Sequence, residues 1–125
     1  MGHPKHRLGQ RAEAAAATWL ASAGWRILER RWRVPEGELD LVAVDLHGTL
    51  VGVEVRARSG IRAGSPSETV DRRHLRRLRV ALARYAVERA PPHHGTRIDL
   101  VTLAPGDGGA GSRWRATRLP AIDGW

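Results

Sequence analysis

Two acidic segments joined by a short turn constrain the fold of this chain more than any other feature. Residues 37–40 read Gly-Glu-Leu-Asp, and residues 54–58 read Glu-Val-Arg-Ala-Arg. Residues 46–48, Leu-His-Gly, lie between them, with glycine where a three-residue hairpin loop needs a left-handed backbone. The pattern therefore predicts an antiparallel β-hairpin with acidic groups at its open end.

The length of this loop decides which residues face each other. A three-residue loop places Asp40 directly across from Glu54, and Glu38 across from Arg56, with all four side chains on one face. Two carboxylates that face each other repel. We therefore expect a cation between Asp40 and Glu54, either a divalent metal or a neighbouring arginine.

The apolar residues favour this register. It gives both strands one consistent apolar face, which consists of Leu39, Leu41, Ala43, Val51, Val53, Val55 and Ala57. The alternative is a loop closed by residues 47–48 alone. That loop would shift the pairing by one residue and separate the two carboxylates.

The composition describes one small basic domain. The 125 residues suffice for a single core, which we place in residues 8–125 after a basic, flexible tail at 1–7. The net charge of +8 favours polyanions, nucleic acid before an anionic membrane surface, although an arginine-rich coding bias would also produce it.

Compartment signals are few. The absence of cysteine excludes disulfides and thiolate metal sites and is compatible with a reducing compartment. No apolar run approaches the length of a membrane span. Residues 21–23 resemble a signal-peptidase site, but Glu13, Thr18 and Trp19 fit an amphipathic helix better than a signal peptide. We expect a cytoplasmic protein with no membrane partner, and a homodimer is compatible with these features.

The elements alternate in the manner of an α/β protein. The predicted order is α-β-β-β-α-β with an optional final strand. The segments are a helix at 8–23, strands at 25–32, 38–44 and 50–57, a helix from an N-cap at Asp71 to about Arg89, a strand at 97–103 and an edge strand at 114–119.

The carboxylates suit metal chemistry. Asp40 and Glu54 offer the oxygen ligands that Mg²⁺ or Mn²⁺ prefers, and such a metal polarises a phosphoryl oxygen and activates an attacking water. The alternative is a salt-bridged sheet end, in which Arg56, Arg58 or Arg97 neutralises the pair.

The second helix carries a cluster of cations. Five arginines crowd its first half: Arg72, Arg73, Arg76, Arg77 and Arg79. Cations near a helix N-terminus oppose the macrodipole, so helix stability does not explain their placement. They indicate contact with a phosphate backbone, and the alternative is a solvated helix face.

Five segments together resemble the small bacterial YraN-like family. Residues 37–43 are similar to its Gly-Glu-Ile-Asp-Leu block, residues 53–58 to its Val-Glu-Val-Lys-x-Arg block, and residues 97–101 to its Arg-Phe-Asp-Val-Val strand. Residues 8–16 and 24–28 extend the match over nearly the whole chain. The family consists of predicted endonucleases of the restriction-endonuclease-like superfamily, distantly similar to Holliday-junction resolvases.

This resemblance implies a fold and a site. The fold is an αβββαβ core in which helices flank a mixed sheet. Asp40 and Glu54 become metal ligands, and Glu13 becomes an additional acidic group at the site. The active-site lysine of the superfamily falls at Arg56, and a second family lysine falls at His74. Arginine stays protonated, so Arg56 could orient water or stabilise charge but could not act as a general base.

The leading hypothesis is a Mg²⁺- or Mn²⁺-dependent endonuclease that acts on DNA phosphodiester bonds, including branched or recombination intermediates. Glu13, Asp40, Glu54 and Arg56 would form its catalytic site. The phosphate backbone would contact Arg58, Arg72, Arg73, Arg76 and Arg77. The alternatives are a non-catalytic nucleic-acid-binding module on the same fold and a basic adaptor protein. In both alternatives Arg56 would lie against Asp40 and Glu54, in the metal position.

Overall fold

The computed structural model describes residues 4–57, 71–106 and 114–123. Its elements are α1 (Pro4–Ser22), β1 (Arg26–Val34), β2 (Gly37–Val44), β3 (Leu50–Ala57), α2 (Arg72–Arg89), β4 (Thr96–Pro105) and β5 (Trp114–Leu119). α1 begins four residues before the predicted start, at Pro4, because proline is well suited to the first helical turn. Residues 1–3 of the expected tail and the connection at 59–70 lie outside the described residues.

The five strands form one mixed sheet in the order β1-β2-β3-β4-β5. β3 and β4 are parallel, and the other neighbours are antiparallel. Parallel strands need a crossover connection, which α2 supplies. The predicted α/β fold class, a mixed sheet flanked by helices, is confirmed and is consistent with a restriction-endonuclease-like core.

The core has two layers, one on each face of the sheet. On one face Ala12 and Leu20 of α1 pack with Leu41 and Val53. On the other face a second cluster, which includes Leu78 and Leu82 of α2, covers residues such as Val42 and Leu100. Alternate residues of the central strands thus enter opposite layers, as the pleat of a sheet requires. Neither helix in the described part of the chain is long and apolar enough to cross a membrane.

The ends of α2 follow the predicted signals. Asp71 is the N-cap, and its Oδ1 accepts a hydrogen bond of 2.8 Å from the backbone N–H of His74. Such a cap contributes about 1 kcal/mol to helix stability. The helix ends at Arg89, and the C-cap Ala90, with a left-handed backbone (φ 45°), closes the last turn before two prolines. The cap places His74 in the first turn of the helix, beside β3.

The hairpin loop confirms the predicted register. The backbone N–H of Asp45 donates to the carbonyl of Thr49 at 3.0 Å, and Gly48 has a φ of 84°. Leu41 therefore pairs with Val53, and the pairing continues regularly to the loop. Glycine is needed here for two reasons. Residues with a side chain rarely adopt this left-handed backbone conformation, and a Cβ atom would clash with a nearby histidine ring.

The regular pairing of β2 with β3 ends at Leu41–Val53, one residue before Asp40. Leu41 packs in the α1 layer, whereas Leu39 is buried in the α2 layer. The prediction that Leu39 and Leu41 share one face is therefore wrong. The alternation of the strand changes phase at Asp40.

A left-handed residue in the neighbouring strand accounts for this change of phase. Arg31 of β1 has a φ of 57°. Arg30 pairs with Leu41 and Trp32 pairs with Leu39, so Arg31 lies opposite Asp40, where no regular pair forms. The alternation of side chains between the two faces of the sheet therefore shifts by one residue in both strands at the same place, and Asp40 lies at that place.

Candidate active site

Asp40 lies where β2 separates from β3. Its Oδ2 accepts a hydrogen bond of 2.7 Å from the backbone N–H of Val55 and so replaces a missing bond of the ladder. The predicted cross-strand pair of Asp40 and Glu54 is not part of the regular ladder. The two side chains nevertheless meet and share a hydrogen bond.

The predicted pair of Glu38 and Arg56 does not form. Glu38 lies beside β1, where it pairs with Arg33 in the ladder, and its carboxylate lies 3.4 Å from the Arg33 guanidinium. The reason is the same separation of the strands, which directs residues 37–40 toward β1 instead of β3. Arg56 is thereby left to contact other groups on its own face.

The pKa of Asp40 is raised to about 9, chiefly by burial and next by the nearby negative charge of Glu54. The hydrogen bond between the two carboxyls and the charge of Glu13 act in the same direction, while the Val55 N–H opposes them. In the absence of a cation, Asp40 therefore keeps its proton at neutral pH. This is the behaviour of two carboxyls in one site that cannot both ionise.

Glu54 is the most heavily contacted group of the site. Its side chain is only 4% exposed, and its Oε2 lies 2.6 Å from Arg56 Nη2 and 2.6 Å from His74 Nε2. Arg56 and His74 are themselves 3.5 Å apart. Arg56 and His74, at the two positions where the resemblance predicts lysines, thus converge on one oxygen atom. The sequence signal for His74 was its place in the family pattern, and no spacing indicated this contact.

Glu13 reaches the site from α1. It is partly buried, and its Oε1 accepts a hydrogen bond of 2.8 Å from Arg31 Nε. Its charge contributes to the raised pKa of Asp40. The structure therefore brings Glu13, Asp40, Glu54 and Arg56 into one region, with Glu13 on the β1 side of Asp40.

Two cavities meet at Asp40. The cavity on the α1 and β1 side, of about 260 Å³, is lined by residues that include Glu13, Arg31, Arg33, Glu38 and Asp40. The cavity on the α2 side, of about 270 Å³, is lined by residues that include Glu38, Asp40, Glu54, Arg56, His74 and Arg77. Asp40 and Glu38 line both, so a chain-like ligand bound at Asp40 has an opening on either side.

Four arginines of α2 form an exposed basic surface beside the second cavity. We call Arg72, Arg73, Arg76 and Arg77 the α2 arginine patch. In the described part of the chain none of the four forms an ion pair with a carboxylate. Arg79 differs, since its Nη2 donates to the carbonyl of Asp123 at 2.8 Å. Arg58, also predicted to bind phosphate, lies outside the described residues.

A second charged network, which sequence reasoning missed, holds the opposite end of the sheet. Asp99 is fully buried and accepts hydrogen bonds from Arg97 (2.7 Å) and Arg118 (3.0 Å). Arg97 also bonds Asp45 at 2.9 Å. Arg97 is thereby committed to two other carboxylates, so it is not a neutralising partner of the Asp40–Glu54 pair.

The free oxygens of the Asp40–Glu54 pair fit a hard divalent cation. Val55 occupies one oxygen of Asp40, and Arg56 and His74 share one oxygen of Glu54. Apart from the bond between the two carboxyls, no other side chain among the described residues donates to the second oxygen of either, so one oxygen of each could hold a cation. Among the residues described, no group of three or more His, Cys, Asp or Glu is arranged to hold a metal ion. The protein would thus supply two ligands, and water or a substrate phosphate the remainder, as is common for Mg²⁺.

These features define a class of protein: an α/β domain with a restriction-endonuclease-like core and a buried carboxyl pair at one end of its sheet. Residues 12–103 match the model of the uncharacterised protein family UPF0102, and the chain belongs to this family. The resemblance to the YraN-like family is thereby confirmed.

Several relatives carry the same family name. A UPF0102 protein of Beutenbergia cavernae is 44% identical over 99 residues, which cover 79% of this chain and 83% of the relative. One of Moorella thermoacetica is 44% identical over 99 residues, covering 79% and 82%. One of Methylococcus capsulatus is 41% identical over 116 residues, covering 90% of each. The matched range, residues 12–103, contains the positions of Glu13, Asp40, Glu54, Arg56 and His74.

Proposed function

We propose that this protein is a metal-dependent endonuclease that hydrolyses phosphodiester bonds of DNA. The observation that carries the proposal is the state of Asp40. This carboxyl is withdrawn from water beside Glu54, and the Arg56 guanidinium contacts Glu54 instead. A buried carboxyl pair of this kind is costly unless a cation joins it.

The cation that fits this pair is Mg²⁺ or Mn²⁺, held by Asp40 and Glu54. When bound, it would supply Lewis-acid polarisation of a phosphoryl oxygen and a more acidic water. Asp40 must release its proton before it can act as a ligand. The Val55 N–H already favours the ionised carboxylate and directs Oδ2 toward β3.

Arg56 would serve in electrostatic stabilisation. Its guanidinium lies against Glu54, remains partly exposed to the α2-side cavity, and carries a permanent charge. It is therefore suited to orient a phosphate oxygen and to stabilise negative charge that develops there. His74 holds the same Glu54 oxygen and fixes the carboxylate from the first turn of α2.

The α2 arginine patch would hold the nucleic-acid backbone. Its members are exposed, without carboxylate partners in the described residues, and Arg77 lines the cavity that contains Glu54. Contacts of this type position a duplex or a single strand and carry no base specificity. A preference for branched DNA or recombination intermediates is part of the proposal, and the assay below tests it directly.

A non-catalytic nucleic-acid-binding module is the second candidate. The contact of 2.6 Å between Arg56 and Glu54 favours it, because a guanidinium in this place neutralises one carboxylate of the pair without a metal. A binding module is expected to have Arg56 against both Asp40 and Glu54, whereas the contact reaches only Glu54. A basic adaptor protein that binds an acidic partner would use the same exposed arginines.

Cleavage of DNA tests the proposal. Supercoiled plasmid, linear duplex, single strands and a four-way junction would be incubated with Mg²⁺, Mn²⁺ or a chelator. We expect metal-dependent cleavage by the wild type, lost in Asp40→Asn and Glu54→Gln. Glu88→Gln, at an exposed position of α2, is a matched control that should retain activity. DNA binding without cleavage by the wild type and by Arg56→Lys would favour the binding module.

A further inference from the structure

Arg31 adopts a backbone conformation that residues with a side chain rarely take. Among the described strands, it is the one non-glycine residue with a positive φ, 57°. This region is disfavoured for L-residues, so the surrounding structure must hold Arg31 in place. It lies in the middle of β1, opposite Asp40, where it turns its side chain into the α1-side cavity. A strained residue at this position indicates a role in the site.

The bond with Glu13 leaves the phosphate-binding edge of Arg31 open. Nε donates to Glu13 Oε1, whereas no hydrogen bond among the described residues uses the two terminal nitrogens. The side chain is 40% exposed. A guanidinium fixed through Nε presents its two Nη groups as a fork, which matches two oxygens of a phosphate.

Arg33 extends this surface outward. Its side chain is 74% exposed, and its contact with Glu38 is long, at 3.4 Å. It lines the same cavity as Arg31 and Asp40. The two arginines thus line the same cavity as Asp40, and each has further donors beyond its bond with a carboxylate.

We propose that Arg31 and Arg33 form a phosphate-binding subsite on the β1 side of Asp40, and that Glu13 is a positioning residue that holds Arg31. The ligand is the phosphodiester backbone of a nucleic-acid strand that runs across Asp40 from the α2 side to the β1 side. This inference rests on the proposed function, because it takes the strand to pass the carboxyl pair. It assigns Glu13 to substrate contact through Arg31 and not to the metal.

Binding measured without divalent metal tests the subsite separately from catalysis. Fluorescence anisotropy with labelled single-stranded and duplex oligonucleotides, in chelator and over a range of salt, gives the affinity and its salt dependence. Arg31→Gln should weaken binding and lower the slope of log affinity against log salt by about one. Arg26→Gln is the matched control, an exposed arginine at the other end of β1, and it should leave the slope unchanged. Arg33→Gln gives a second test if Arg31→Gln does not fold.

Two neutral substitutions separate the negative charge of Glu13 from its role as the hydrogen-bond acceptor of Arg31. In Glu13→Gln an oxygen still accepts the Arg31 Nε, so oligonucleotide affinity should equal or exceed that of the wild type. In Glu13→Ala the acceptor is lost, and affinity should fall below that of Glu13→Gln. The increase in melting temperature caused by Mn²⁺ should persist in Glu13→Gln, since the proposal places Glu13 outside the metal ligands.

Several results would overturn the subsite. An Arg31→Gln slope equal to that of the wild type would do so, as would equal affinities of Glu13→Gln and Glu13→Ala. So would Arg31-dependent binding to anionic lipid vesicles with no binding to oligonucleotides. Wild-type protein that binds through Arg31 but never cleaves would refute the nuclease and support the subsite. Cleavage by the wild type with unaltered binding by Arg31→Gln would refute the subsite alone.

Discussion

Asp40 should make the protein less stable as the pH rises, and Asp40→Asn should relieve this penalty. The pKa of Asp40 is raised from 3.8 to about 9, chiefly by burial and next by the charge of Glu54. Between these values the folded protein keeps a proton that the unfolded chain releases. The free energy of unfolding therefore falls with rising pH, by up to about 1.4 kcal/mol per pH unit.

The size of this loss of stability depends on how far the pH lies above the pKa of Asp40 in the unfolded chain. At about pH 7 the penalty amounts to roughly 4 kcal/mol, and at about pH 4 it is close to zero. Asparagine resembles the protonated acid, because its oxygen can accept from the Val55 N–H and its amide can donate to Glu54. Asp40→Asn should therefore be more stable than the wild type by about 1–4 kcal/mol at neutral pH.

Urea denaturation over this pH range, without metal, measures the difference. The two proteins should agree at about pH 4 and diverge as the pH rises toward the folded-state pKa. Asp40→Ala separates the effect of the charge from that of the hydrogen bond, since it removes the charge but also leaves the Val55 N–H without its acceptor. A wild type whose stability is flat over the range, or an Asn variant that is destabilised equally at every pH, would refute the reasoning.

Three further predictions concern the metal, the DNA surface and Arg56. Mn²⁺ or Mg²⁺ should raise the melting temperature of the wild type but not of Asp40→Asn, because a ligand that binds only the folded state stabilises it; indifference of the wild type to millimolar metal counts against the site. Replacement of the α2 arginine patch by glutamine should weaken binding to all DNA sequences alike and flatten its salt dependence, and an unchanged slope would place the DNA surface elsewhere. Arg56→Lys should increase metal-dependent cleavage if this residue limits a slow nuclease, which a cleavage assay measures. Arg56→Ala should lower stability because it leaves Glu54 with less positive charge nearby, which thermal denaturation measures.

The hairpin and the second helix could be predicted because their signals are local. Gly48 and a three-residue loop fix the register, and the apolar alternation on both sides supports it. Asp71 marks the start of α2 because its side chain accepts a hydrogen bond from the backbone N–H of His74, and the two prolines mark its end because they have no N–H with which to continue the helix. Features of this kind depend on a few adjacent residues, so a single sequence contains what is needed.

The break at Asp40 could not be predicted for the opposite reason. It depends on Arg31, which lies in another strand and adopts a backbone conformation that its residue type does not favour. Alternation alone assigned Leu39 to the wrong face, because the pattern assumes an uninterrupted pleat. The network around Asp99 was missed in a similar way, since its partners come together only through the sheet and the C-terminal segment.

The departure of the site from its family pattern has a consistent electrostatic form. Arg56 and His74 stand where the resemblance to the family predicts two lysines, and both contact the same oxygen of Glu54. The positive charge of Arg56 is thus placed on one carboxylate of the pair, and Asp40 keeps a proton that a bound cation would displace. In the proposed site, proton release and metal binding at Asp40 would be a single linked equilibrium, so metal affinity should increase with pH through the neutral range. If the proposed site holds a metal, a substrate phosphate would add ligands to those of the protein, so the rise in melting temperature caused by Mn²⁺ should be larger when nucleic acid is present.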